Sequence, residues 1–213
     1  LKQTIDILAC WAKIVKDNDL KSFEALLYSL NSKLISFCSF YVYQKEIAEE
    51  IVSDVFVHLW VNRANLSHVV NPETYLFVSV KNRAINHCKS AAKLKLVNID
   101  DCGDELAFTY QPDKDFEKKE LMFQLDKAIE TLPLQCKVIF KMVKENGMKC
   151  KEVAEILEIS PRTVETQVYR AMNKISTIMV GHQNQREGRK VTPIRHIASV
   201  VIAWLSICLE IFV

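Results

Sequence analysis

Apolar side chains recur at three- and four-residue spacing through most of this chain, the period of a helix with one buried face. Phe23, Leu26, Leu27, Leu30, Leu34 and Phe37 share one such face in a stretch beginning near Asp19. A second helix is predicted from about Lys45 to Trp60. Ile47, Ile51, Val52, Val55, Phe56, Leu59 and Trp60 line its inner side; Glu46, Glu49, Glu50 and Asp54 line its outer side. Residues 62–71 are polar and broken. Asn71-Pro72-Glu73 then reads as a helix start, because Asn can accept from unpaired backbone N–H groups, Pro has no N–H to lose, and an acid favours the positive helix end. The helix it opens carries Tyr75, Leu76, Val78, Val80, Ala84 and Ile85 inward.

From Val97 to about Phe116 the period fails and acidic and turn residues accumulate, as in a linker. Helical pattern resumes at Leu121 with Phe123, Leu125, Ala128 and Ile129, and Leu132-Pro133 stops it. A further helix is expected from near Pro133 through Val138, Ile139 and Met142 to a turn at Asn146-Gly147. With only 4 Gly and 5 Pro among 213 residues, turn punctuation is sparse and the fold class is all-α. The expected architecture is two small helical domains joined by a flexible acidic linker, with an apolar helix as a C-terminal tail. The boundaries read as 1–96, a linker 97–120, a second domain 121–180 and a basic then apolar tail 181–213.

Charge refines this picture by its distribution, since the formal net charge is only +2. Residues 81–95 hold Lys81, Arg83, Lys89, Lys93 and Lys95 and no acid, whereas residues 98–120 hold eight acids against three lysines. A basic helix followed by an acidic connector is the asymmetry to explain. The seven cysteines show no C-x-x-C and no zinc-like spacing, and read as buried thiols of a reducing cytosol. The first eight residues include Lys2 and Asp6 and form no apolar run of a signal peptide. No glycine-rich phosphate loop, nucleophile–histidine pair or metal cluster is evident, so neither an enzyme nor a cofactor is expected.

The most informative stretch is KCKEVAEILEISPRTVETQVYRAMNKI, residues 149–175. Two short helices around a tight turn are predicted, the first with Val153, Ala154 and Leu157 inward, Ala154 being small enough for a close helix crossing. Ile159 plugs the turn, Ser160 caps the second helix and Pro161 opens it. Val164, Val168, Ala171, Met172 and Ile175 share one face of that helix. The opposite face offers Arg162, Thr163, Glu165, Thr166, Tyr169 and Arg170. Arg, Thr and Glu can bond base edges in a major groove, which the early residues of a recognition helix meet. Arg162, Thr163, Glu165 and Thr166 are therefore assigned to bases, and Lys149, Lys151 and Arg170 to phosphates. Glu158 occupies the turn position where Gly is usual, a left-handed conformation unfavourable to any side chain with a Cβ.

With these residues in place, the chain resembles a bacterial RNA polymerase sigma factor of the extracytoplasmic-function group. Three stretches carry the resemblance: IAEEIVSDVFVHLW (residues 47–60), NPETYLFVSVKNRAINHCK (71–89) and LPLQCKVIFKMVKENGMKCKEVAEILEISPRTVETQVYRAM (132–172). The first is similar to the core-polymerase-binding helix; the resemblance implies that Glu49, Glu50, Asp54 and His58 meet the polymerase, where the residues alone would read as a solvated face. The second is similar to the helix that handles the melted promoter element, which implies Lys81, Arg83, Lys89 and Lys93 for phosphates, Asn82 and Asn86 for base edges, and Asn71 as a further contact to the melted element. The loop 65–71 is where the family captures a flipped base. Tyr75 and Asn86 stand where the family often has Trp and Asp. The third stretch is similar to the promoter-recognition domain.

The implied function is to direct core RNA polymerase to specific promoters and assist initiation, without catalysis. The implied partners are core polymerase, promoter DNA as duplex and melted strand, and an anti-sigma factor. The alternative reading is a stand-alone helix-turn-helix regulator whose first domain senses a signal or dimerises. Residues 197–213 are almost wholly apolar, about 25 Å as a helix at ~1.5 Å per residue, against a bilayer core of about 30 Å. Arg186, Arg189, Lys190 and Arg195 precede them. The location expected is the cytoplasm, with contact to the inner face of the membrane through this tail as a competing role to a packed terminal helix.

Overall fold

The structure, a computed structural model, describes the backbone of residues 5–95 and 116–187 and the side chains of 5–90 and 123–180. The acidic linker up to residue 115 and the apolar tail 197–213 lie outside the described residues. Eight α-helices are found among the described residues: α1 (Ile7–Asp17), α2 (Leu20–Cys38), α3 (Lys45–Asn62), α4 (Pro72–Lys95), α5 (Phe116–Glu130), α6 (Leu134–Phe140), α7 (Cys150–Leu157) and α8 (Pro161–Glu187). Among the described residues they form two compact units, one of α1–α4 with residues Asn146–Pro161, the other of α5, α6 and α8 from Arg162.

In the first unit, caps set the helix starts. Asp6 accepts from the N–H groups of Leu8 and Ala9 at 3.0 and 3.1 Å and opens α1, an element the apolar period did not predict. Only Trp11 and Ile14 of α1 are buried, too few to generate a visible stripe. Asp19 caps α2 through Lys21 and Ser22, and the Ser22 hydroxyl, 2.6 Å away, is the main reason its carboxyl stays below the ordinary range. Leu26, Leu30, Leu34, Val52, Leu76, Phe77, Val80 and Ala84 are completely buried and make the core. Phe77 packs edge-on against Phe37 at 5.1 Å, and Phe23 meets the Trp60 ring at 4.9 Å. Burial of this kind is the main favourable term of folding.

The second unit is smaller. Ala128, Ile129, Leu132, Cys136, Phe140, Ala171 and Ile175 form its core, with Leu125, Met172, Ile178 and Met179 against it. Lys174 donates to the Thr131 carbonyl at 2.6 Å, tying α8 to the end of α5. Helix α5 begins five residues before the predicted Leu121, since its first turn is FEKKE and offers no apolar period. The helix expected to run from Pro133 to Asn146 is instead α-helical only to Phe140, followed by a wider π-helical segment Lys141–Glu145. In the first unit Gly147 supplies the expected turn, at φ +72°. The thiols also depart from expectation: Cys38 and Cys136 are buried, Cys10 and Cys150 are half-buried, and Cys88 is exposed.

Candidate nucleic-acid and polymerase interfaces

Helix α3 divides cleanly. Ala48, Ile51, Val52, Val55, Phe56 and Leu59 are buried, whereas Glu49, Glu50, Asp54 and His58 are all exposed on the other side. Two valines also point outward, Val57 at 61% and Val61 at 68% exposure, one helical turn apart. The pattern of inner and outer positions could have flagged them, because they break the polar face. Asp54 is not an isolated acid: Arg83 of α4 reaches it at 3.2 Å. A residue implied in polymerase contact and one implied in strand contact are thus paired. Nearby, Val55, His58, Tyr75, Ser79, Asn82 and Arg83 line an open cleft of about 240 Å³. Tyr75 is held there from behind by the edge of Trp11, 5.8 Å away.

Along α4 the implied strand-binding residues fall into two groups. Asn82, Asn86 and Lys89 are exposed and Arg83 is half-buried. Asn71 and Lys81 are engaged within the unit. The Asn71 Oδ1 accepts from the Thr74 N–H at 3.1 Å, the cap expected from the sequence, while its Nδ2 donates to Glu152 Oε1 of α7 at 2.9 Å. Lys81 is only 5% exposed, and its Nζ lies 2.7 Å from Glu158 Oε1. The bond to Lys81 and its charge hold the Glu158 carboxyl below its ordinary range.

Lys149 and Lys151 are exposed at the start of α7, where Glu152 Oε2 accepts from the Lys149 N–H at 2.9 Å. Val153, Ala154 and Ile156 are buried; Leu157, predicted to face inward, is half-buried, so Ile156 takes the inner place. The helix ends at Glu158, which adopts φ 57° and ψ 42°, the left-handed conformation that Gly usually supplies, despite its strain for a residue with a Cβ. The Ile159 N–H then closes on the Ala154 carbonyl at 3.0 Å. In α8, Val164, Val168, Ala171 and Ile175 are buried, while Arg162, Glu165, Thr166, Tyr169 and Arg170 are exposed and Thr163 is half-buried. The Thr166 hydroxyl donates to the Arg162 carbonyl at 2.8 Å, which leaves its oxygen lone pairs outward as acceptors. Tyr169, 67% exposed beside Arg170, adds a flat apolar surface to this face.

Comparison with known proteins finds two matched regions, the second of which includes the segment Asn146–Pro161 that packs with the first unit. The family model described as sigma-70 region 2 matches residues 27–94, and that described as sigma-70, region 4 matches residues 122–175. A Haemophilus influenzae protein described as "Probable RNA polymerase sigma factor" is 21% identical over 175 residues, covering 75% of this chain and 89% of its own length. Among solved structures, the sigma factor RpoE of Bartonella quintana, in complex with the anti-sigma factor NepR, gives a TM-score of 0.58 at 16% identity, covering 75% of this chain and 98% of that one. CnrH, in complex with the cytosolic domain of CnrY, gives 0.51 at 16% identity, covering 81% and 96%.

Proposed function

Because this chain belongs to the sigma-70 family of bacterial RNA polymerase sigma factors and directs core polymerase to promoters, we propose that it is a member of the extracytoplasmic-function group and that three surfaces divide the work. The outer face of α3 docks on the polymerase through Glu49, Glu50, Asp54 and His58, with Val57 and Val61 as its apolar centre. An acidic face with a small apolar core suits a basic and polar partner surface. The exposed part of α4, Asn82, Arg83, Asn86 and Lys89, tracks the melted strand by its phosphates and base edges. The outer face of α8 reads duplex DNA, with Arg162, Thr163, Glu165 and Thr166 toward bases and Arg170, Lys149 and Lys151 toward phosphates.

The observation that carries this reading is α3. Four polar residues stand exposed on the back of a helix whose other side is fully buried, inside the segment matched to region 2. The family consists of initiation factors, and no reaction is assigned to this chain. RpoE was solved with the anti-sigma factor NepR, and an anti-sigma partner is proposed here too. No helix among the described residues is long and apolar enough to cross a membrane. The test is transcription in vitro from a mapped promoter with purified core polymerase and this protein. Initiation that depends on the protein, and is lost in a Glu50→Lys, Asp54→Lys double variant, supports the reading; initiation unaffected by that variant removes α3 as the docking face.

A further inference from the structure

We propose that the first helix of the helix-turn-helix, α7, acts in the free protein as an internal substitute for single-stranded DNA, seating Glu152 and Glu158 on the strand-binding face of α4. The inference rests on the assignment of α4 to the melted strand. It starts from Lys81, a residue only 5% exposed whose ammonium meets one carboxylate at 2.7 Å. A lysine so buried requires an anion, since an unpaired charge out of water is strongly unfavourable. Ten residues earlier on the same side of the unit, the Asn71 amide donates to the second carboxylate of α7 at 2.9 Å. An ammonium and an amide are the groups that would bind a phosphate and a base or sugar oxygen of a strand. Here both are filled by acids of α7.

One further contact holds the segment just ahead of α7. Lys33 of α2 donates to the Asn146 carbonyl, just ahead of α7, at 3.3 Å and lies 3.5 Å from Glu73. Glu158 itself is held by Lys81, at 2.7 Å. The contact explains the residue at the turn. Position 158 is left-handed, where Gly would fit without strain, yet Glu stands there and its carboxylate reaches Lys81. The side chain that strains the turn is the one that occupies the strand site. With α7 seated there Lys81 is only 5% exposed, so a strand must displace α7 to reach it; the two are competitors, and by linkage each weakens the other equally.

The experiment uses the full chain and a fluorescein-labelled oligothymidylate of roughly twenty nucleotides, enough to fill a strand groove. Glu158→Gln is expected to tighten binding about fivefold or more, and Glu155→Gln, which removes the same charge from the exposed side of α7, is expected to leave it near the wild-type value. Treatment of the free wild-type protein with a carbodiimide should give a Lys81–Glu158 amide, found by peptide mass spectrometry and reduced by saturating oligothymidylate. Lys89→Ala, at the exposed end of α4, reports on the underlying assignment. If Lys89→Ala weakens binding while Glu158→Gln has no effect or merely matches Glu155→Gln, α4 binds the strand and the substitution by α7 is refuted. If Lys89→Ala leaves binding unchanged, the assignment of α4 fails instead. Absence of the Lys81–Glu158 amide in the free protein overturns the proposal directly.

Discussion

The two surfaces assigned to DNA are presented in opposite ways. On α8 the residues facing outward, Arg162, Glu165, Thr166 and Arg170, are exposed, and the one side-chain hydrogen bond described among them runs to the helix backbone. On α4 the first two residues of the assigned set, Asn71 and Lys81, are bonded to acids of α7, and only Asn82, Asn86 and Lys89 stand open. A duplex reader needs a preformed, rigid face, because the groove it enters already exists. A strand reader has no target until the promoter opens. Basic residues held by internal acids until that moment do not bind the wrong nucleic acid in the meantime.

The largest effect expected is one that removes the support of the α4 surface altogether. Phe77→Ala should cost about 3–5 kcal/mol in urea unfolding, since it empties a fully buried aromatic site beneath α4. A loss below about 1 kcal/mol, within the range of surface substitutions, would show that Phe77 is not part of a packed core.

Next comes the open surface. Arg162→Ala with Thr166→Ala should lower promoter-directed transcription by roughly thirtyfold or more, as each lost base contact is worth about 1–3 kcal/mol. Core binding measured by pull-down should stay as it was. Equal transcription by the double variant would mean that α8 does not read the promoter, and the contrast with α4 would lose one side.

A smaller change is expected for Lys89→Ala. Its loss should weaken strand binding about equally for different sequences and reduce the salt dependence by about one counterion, the signature of a phosphate contact. A change confined to one sequence would reassign it to base reading.

The smallest effect is a dependence on pH. The Glu158 carboxyl, lowered from its ordinary 4.5 by Lys81, contributes stability that is fully present above 4.5 and is lost as pH falls through its lowered value. The difference in urea stability between wild type and Glu158→Gln should therefore be larger at neutral pH than in strong acid. A difference that grows on acidification would show that the carboxylate is not stabilised by Lys81 in the folded protein.

Much of this molecule is legible locally. The i, i+3, i+4 stripe locates α2, α3, α4 and α8 because the face that packs is written at that spacing. Asn71-Pro72-Glu73 and Asp19 mark helix starts, since a cap acts within three residues of itself. Helix α1 escaped because only two of its side chains are buried, and the first turn of α5 because it is charged. The break in regular geometry at Lys141–Glu145 has no residue signature at all.

By itself the sequence determined α2, α3, α4 and α8, the two matched regions, and a turn at Glu158, a position where Gly is usual. It could name Lys81 as a basic residue on a basic helix. Only the tertiary structure decided that this lysine is buried and answered by Glu158, because the two are 77 residues apart and nothing in either local pattern refers to the other. Helical period and capping act over a few residues. Which charges meet depends on how the helices pack, and a salt bridge between distant elements exists only once they have done so.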